Sequence, residues 1–151
     1  MMKLICIGKV KEKFFSDSVE EYKKRLSRYT KLEIIELDDI KGDNPEIILE
    51  KEGKEIEKYI SPKDYIITLE IEGKQYTSEE FSKKIETIQI ENPNITFIIG
   101  GSYGIHQKIK NMSNLKISFS KFTFPHTLFR TIFLEQLYRA YKIMHNETYH
   151  K

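Results

Sequence analysis

Ile95-Thr96-Phe97-Ile98-Ile99-Gly100-Gly101-Ser102-Tyr103-Gly104-Ile105 is the stretch whose reading decides the fold. Its first five residues carry no charge and are rich in β-branched side chains, the composition of a strand buried on both faces. The Gly-Gly-x-x-Gly turn behind it allows positive φ and a close approach of backbone to a ligand, although tight turns use the same residues for their own sake. Four more apolar runs have strand length: Leu4 to Ile7, Leu32 to Leu37, Tyr65 to Leu69 and Leu115 to Phe119. Between them, residues 16–28, 46–60 and 78–90 place apolar side chains at helical spacing, as in Val19, Tyr22 and Leu26, or Phe81, Ile85 and Ile88. Ser16, Asn44 and Ser78 stand where helix N-caps are expected, with Pro45 at the first helical position after Asn44. Strand alternating with helix predicts an α/β fold, a mostly parallel sheet of five or six strands with helices on both faces.

In such a sheet ligands sit beyond the carboxyl ends of the strands, so the strand exits are the informative loops. The first exit, Gly8-Lys9-Val10-Lys11, lacks the Gly-x-Gly-x-x-Gly of dinucleotide folds and the hydroxyl cluster of a flavodoxin. The third is Leu69-Glu70-Ile71-Glu72-Gly73-Lys74, read as a loop, and the fourth is the glycine turn. The fifth, Ser118-Phe119-Ser120-Lys121-Phe122-Thr123-Phe124-Pro125-His126, holds three Phe in six positions. Exposing all three would be costly, so they pack on core, on a partner subunit or on a flat aromatic ligand.

A last helix is expected over Thr127 to Met144, where 11 of the 17 residues from Leu128 onward are apolar or aromatic. That breadth predicts two buried faces, one on the sheet and one on a second subunit. Thr131, Glu135, Arg139 and Lys142 share a narrow polar arc, with Glu135 and Arg139 as an i,i+4 pair. Arg130 falls instead among Leu134, Leu137 and Tyr141. It therefore meets a carboxylate, carbonyls, a ligand or a phosphate, unless it snorkels outward or pairs across a subunit contact. His126 either stands beside the fifth loop as a proton acceptor or caps the helix. The final residues, Tyr149, His150 and Lys151, combine an aromatic platform with positive charge, as RNA sites do.

The 151 residues carry 25 Lys plus Arg and 23 Asp plus Glu, a net charge of +2 that conceals a partition. Residues 1–31 sum to +5, residues 32–100 to −9, residues 101–116 to +3 and residues 117–151 to +3. If the basic ends meet in space they form a surface suited to a polyanion; otherwise they are solvated helix faces. A hydrophobic content of 39% supplies a core and excludes a disordered tail. Cys6, the one cysteine, can make no internal disulfide, and no run approaches the roughly 18 apolar residues of a membrane span. One domain in a reducing, cytoplasmic compartment is the expectation. His126, His145 and His150 lack zinc-type spacing, so no metal is expected, and no Gly-x-Ser-x-Gly elbow supports a hydrolase.

Taken together, Ile98-Ile99-Gly100-Gly101-Ser102-Tyr103-Gly104, Ser118-Phe119-Ser120, Thr123-Phe124-Pro125-His126-Thr127-Leu128-Phe129-Arg130, Glu135-Gln136-Leu137-Tyr138-Arg139-Ala140 and Tyr149-His150 closely resemble the RlmH family of ribosomal RNA methyltransferases, minimal members of the SPOUT superfamily. The resemblance runs over the whole chain, residues 1–151. It implies a C-terminal trefoil knot over about residues 95–151, with S-adenosylmethionine held bent in it. It also implies a homodimer that methylates N3 of pseudouridine 1915 (standard numbering) in helix 69 of 23S rRNA on the ribosome. The family's cofactor contacts fall on Leu69, on Gly100 and on Phe119, Ser120, Lys121, Phe122, Thr123 and Phe124, and Gly101 and Gly104 of the same glycine turn join them as candidates. Its RNA-binding tail falls on Tyr149, His150 and Lys151, and His126 and Arg130 beside the cofactor loop are the candidates for catalysis. Two departures stand out. The chain ends in Lys151 where relatives end in Arg and an acidic residue, which turns a bidentate contact into a point charge. Ser102-Tyr103 replaces a Pro-Glu of some relatives. The competing expectations are a SPOUT enzyme for another rRNA or tRNA base and a non-catalytic RNA-binding module.

Overall fold

Each of the five apolar runs becomes a strand of one all-parallel sheet in the computed structural model, which describes residues 1–151. The chain runs β1 (Met2–Ile7), α1 (Lys13–Leu26), β2 (Leu32–Leu37), α2 (Pro45–Glu57), β3 (Tyr65–Gln75), α3 (Ser78–Glu91), β4 (Ile95–Ile99), α4 (Gln107–Met112), β5 (Leu115–Ser118) and α5 (His126–Met144). The strand order is β2-β1-β4-β3-β5. All five residues of β4, the run that decided the fold, are buried.

Local chemistry sets the helix starts, and two differ from expectation. Asn44 caps α2, accepting from the amides of Glu46 at 2.9 Å and Ile47 at 3.3 Å, with Pro45 at the first position. Ser16 is inside α1, because its amide already donates to the Glu12 carbonyl at 3.0 Å and a Lys13–Asp17 pair at 2.7 Å braces an earlier first turn. Ser78 is the first residue of α3 and Thr77 its cap: the Thr77 hydroxyl accepts from the Glu80 amide at 3.1 Å while Glu80 accepts from the Thr77 amide at 2.8 Å. The short helix α4 was not foreseen, since Ile109 is its one buried residue and six residues carry too little periodicity.

Leu69 to Lys74, expected as a loop, is extended backbone that continues β3 to Gln75. The pairing with β5 breaks after Leu69 and resumes with Lys74 opposite Ile117. Gly73 allows the return, because a Cβ there would lie 2.7 Å from the backbone nitrogen of Ile117.

Apolar side chains divide into two layers. One cluster unites Val19 and Leu26 of α1, Phe81 and Ile85 of α3 and Phe133, Leu134 and Leu137 of α5 with one face of the sheet. The other joins Ile56 of α2 and Ile109 of α4 to Ile5, Ile7 and Ile98 on the opposite face. Much of the broad apolar girth of α5 is therefore used within the chain. Phe133 packs on Phe97 at 4.7 Å, the Ser18 and Thr131 hydroxyls bond at 2.7 Å, and the Ser82 hydroxyl donates to the Ala140 carbonyl at 2.7 Å. Leu128, Ile132 and Ile143 stay half-buried. The basic ends of the chain do meet: Tyr29 donates to Glu147 at 2.7 Å, and Arg28 approaches the same carboxylate at 3.6 Å.

Candidate functional site

The exits of β3, β4 and β5 converge on a cavity of about 420 Å³, within the ~300–1,000 Å³ common for small-molecule sites. Backbone builds its wall. Gly104, at φ +85, donates to the Gly101 carbonyl at 3.0 Å and closes the glycine turn on itself. Gly100 sits so close under that turn that a Cβ would lie 2.8 Å from the Ile105 side chain and would also meet the backbone of Gly104. The opposite wall is the segment after β5, braced from within: the Ser118 hydroxyl donates to the Ser120 carbonyl at 3.0 Å, and the Ser120 hydroxyl accepts from the Phe122 amide at 3.0 Å.

The three Phe of that segment have different fates. Phe119 packs into the core, edge-on to Phe81 and Phe129 with centroids 5.7 and 5.3 Å away. Phe124 stacks parallel to Phe129 at 6.4 Å. Phe122 is 78% exposed on the cavity rim. Beneath the rim the Glu70 carboxylate, 5% exposed, accepts from the Thr68 hydroxyl at 2.6 Å and pairs with Lys110 at 3.4 Å.

At the start of α5, His126 is among the residues that line the cavity, and the N-cap of that helix is Pro125, which makes no side-chain capping bond. Its Nε2 lies 3.0 Å from the point where a Gly8 Cβ would be, and Asp39 Oδ2 lies 3.0 Å from the same point. Gly8, at φ +94, leaves that space open. Arg130, one turn further along α5, is 1% exposed, and its contacts are the carboxylate and the carbonyls among the alternatives: Glu36 at 2.6 Å and the carbonyls of Ile7 at 3.0 Å and Gly8 at 2.6 Å. It fixes the end of β1 from below. Cys6 beside it is no nucleophile, because burial pushes its thiol up to about 12.

Of the expected cofactor residues, Leu69, Gly100, Gly101, Gly104, Phe119, Ser120, Phe122, Thr123 and Phe124 line the cavity, and Lys121 does not. Tyr149, His150 and Lys151 lie elsewhere. Tyr149 stands edge-on to Tyr138 at 4.9 Å under the Arg139 guanidinium at 4.8 Å, and His150 is held between Glu79 at 2.6 Å and Arg139 at 3.1 Å. Glu70 and Lys110 were missed. The first is the residue after an expected contact, and the second sits on the unforeseen α4.

A family model described as "Predicted SPOUT methyltransferase" matches residues 1–150. The chain belongs to the SPOUT methyltransferase family. Its relatives carry a consistent description. The Ribosomal RNA large subunit methyltransferase H of Streptococcus uberis is 50% identical over 99% of both chains. A Putative ribosomal RNA large subunit methyltransferase H of Methanococcus vannielii is 51% identical over 98% of both, and the protein of that type from Clostridium botulinum strain Hall is 50% identical over 98% of both. SPOUT membership brings the C-terminal knot, a topology outside the general rule that chains avoid threading. It also makes the chain an enzyme that takes a methyl group from a donor.

The cavity fits such a donor. Leu69, Ile99, Ile105 and Ile117 form an apolar slot for a flat heterocycle, the glycine turn brings bare backbone to its edge, and the shielded Glu70 carboxylate offers an acceptor for hydroxyl or ammonium groups. No helix of this SPOUT chain is long and apolar enough to cross a membrane, and no three His, Cys, Asp or Glu side chains converge as metal ligands would.

Proposed function

We propose that the cavity binds S-adenosylmethionine and that the enzyme methylates N3 of pseudouridine 1915 in helix 69 of 23S rRNA, acting on the ribosome as a cytoplasmic homodimer. The observation that carries the reading is the convergence of three strand-exit loops on one cavity with an imidazole at its edge. The relatives' names, each a large-subunit ribosomal RNA methyltransferase, support the substrate. The half-buried Leu128, Ile132 and Ile143 on α5 support a second subunit.

When bound, S-adenosylmethionine supplies a methyl carbon already activated on a sulfonium. The chain's residues have three tasks: to bind, to align and to remove a proton. Gly100, Gly101 and Gly104 present backbone to the cofactor, Leu69 and the segment from Phe119 to Phe124 hold its flat part, and Phe122 covers it from the rim. His126 accepts the N3 proton, since it is the histidine among the residues that line the cavity. Arg130 is a positioning residue here, because its guanidinium is sealed from solvent and spent on Glu36 and the end of β1. Tyr149, His150 and Lys151 meet RNA on the basic face formed by the chain ends.

Mass mapping of 23S rRNA from a deletion strain and its complement tests the reading. The methyl group at helix 69 is expected to vanish in the first and return in the second; an unchanged state in both overturns the substrate. Calorimetry with S-adenosylmethionine separates the enzyme from a non-catalytic RNA-binding module, which would give no heat of binding.

A further inference from the structure

The β1 and β4 exits lie side by side, and their connections leave to opposite faces of the sheet: α1 packs with α3 and α5, α4 with α2. Such a switch point opens a crevice at the strand ends. Here its floor is two glycines, Gly8 and Gly101, and three titratable side chains gather over it. His126 Nε2 and Asp39 Oδ2 are each 3.0 Å from the point a Gly8 Cβ would occupy, so they face one another across it at no more than twice that distance. Glu52 Oε2 lies 3.5 Å from the point a Gly101 Cβ would occupy.

Glu52 is unusual in its own right. It is 4% exposed on α2, and its Oε1 is one of two buried side-chain polar atoms in the chain without a hydrogen-bond partner. The other is Arg130 Nε, at the same strand end. A carboxyl left in that condition costs free energy unless something at the site uses it. Burial raises its pKa above the ordinary carboxylate value, and the nearby Asp39 charge adds to the effect. Asp39, beside the imidazole of His126 across Gly8, is itself exposed to solvent.

We propose that Asp39 orients His126 across Gly8 and carries to solvent the proton lost by the target base, with the shielded Glu52 carboxyl standing over the neighbouring Gly101. The inference rests on the reading of His126 as proton acceptor. The N3–H bond of the imide breaks and its proton passes to His126, while the N3 electron pair forms the bond to the methyl carbon. The sulfur–carbon bond breaks with its electrons retained by sulfur, leaving a neutral thioether. The imidazolium then gives the proton to Asp39, which releases it to water, so one proton leaves per turnover with no other reactant. At the neighbouring strand exits Glu36 is paired with Arg130, Lys9 with Asp38 at 3.3 Å, and Glu70 with Lys110.

The test uses the full-length enzyme with Asp39→Asn, Glu52→Gln and His126→Ala. Asp39→Asn changes one exposed atom and Glu52→Gln is isosteric, so both are expected to fold. For Asp39→Asn the expected results are a fall in kcat of about tenfold, part of the 10²–10⁴-fold that general base catalysis supplies, and an acid limb of the pH–rate profile moved to lower pH. Glu52→Gln lowers kcat less, in the same direction. The KM for ribosomes and the affinity for S-adenosylmethionine stay at wild-type values. In the protein without cofactor, the ¹⁵N shifts of the His126 ring move in Asp39→Asn, a change that a structural role for Asp39 would not produce. Wild-type kcat, profile and ring shifts in both carboxyl variants, with His126→Ala impaired, overturn the relay alone. Wild-type turnover in His126→Ala overturns the relay and the assignment of His126 together.

Discussion

The cavity at the strand exits and the tyrosine–arginine face on the far side of α5 are built in opposite ways. At the cavity, backbone makes the shape: Gly100 and Gly101 bring main chain where side chains would block it, Gly104 turns it at φ +85, and Phe122 is the most exposed of the lining aromatics. On the other face, side chains do everything. Tyr22, Tyr29, Tyr138 and Tyr149 form an aromatic cluster, with Arg25 over Tyr22 at 5.2 Å, Arg139 over Tyr149 at 4.8 Å and Lys142 over Tyr138 at 5.4 Å. A backbone site tolerates no added atom and recognises one shape. A face of aromatics and cations tolerates many single changes and recognises charge and flat rings.

Arg130 joins the two constructions by tying α5 to the end of β1, and its loss is expected to have the largest effect. Arg130→Met removes the bonds to Glu36, Ile7 and Gly8 from a side chain 1% exposed. Its expected cost is about 3 kcal/mol, at the low end for a broken buried pair because Glu36 can turn to water. Urea unfolding at neutral pH measures it. A loss under 1 kcal/mol would mean that the guanidinium does not hold the strand end.

Gly100→Ala comes next. The added methyl would meet Gly104 and Ile105, so the turn must open. The affinity for S-adenosylmethionine is expected to fall about 100-fold, near 2.7 kcal/mol, while RNA binding by the far face is kept. Calorimetry and filter binding report the two separately, and equal losses in both would show that the regions are not independent.

These sites were unequally legible in the sequence. Glycine at Gly100 and Gly104 and the five apolar runs are local signals, and the sheet and most of the cavity lining follow from them. Lys110 was not legible, because α4 is too short to show a period. Nor was the return of β3 at Gly73, which depends on contact with Ile117, 44 residues away in sequence. The partner of Arg130 was narrowed by its place among apolar residues, but Glu36 lies 94 residues distant and no spacing rule connects them. The meeting of the basic ends showed only as a charge sum, since packing of α1 on α5 is a tertiary fact.

On the side-chain face single changes are expected to be mild. Arg28→Ala removes one cation over Tyr29, 5.5 Å from the ring. A loss of a few-fold in RNA affinity is expected, with a salt slope smaller by about 1 and no effect on cofactor affinity. Titration at several salt concentrations decides it, and an unchanged slope would remove Arg28 from the RNA-facing surface.

The smallest effect separates the regions by the sign of their response to pH. Glu147, on the cationic face, is held below its ordinary 4.5 chiefly by the Tyr29 hydroxyl and then by Lys142. A carboxylate whose folded pKa is depressed contributes stability that is present above the unfolded value and lost as pH falls through the folded one. Glu52, beside the cavity, is displaced upward, chiefly by burial. The folded state then binds its proton more tightly than the unfolded chain, so stability rises as pH falls from above the folded pKa toward 4.5. Glu147→Gln should therefore flatten the acid-side loss of stability, whereas Glu52→Gln should raise stability at neutral pH and steepen the net decline on acidification. Urea midpoints from pH 4 to 8 for the two variants give slopes of opposite sign relative to wild type. If both flatten the curve, the folded Glu52 carboxyl is held down by partners as Glu147 is, and the cavity end loses the buried acid that distinguishes it from the cationic face.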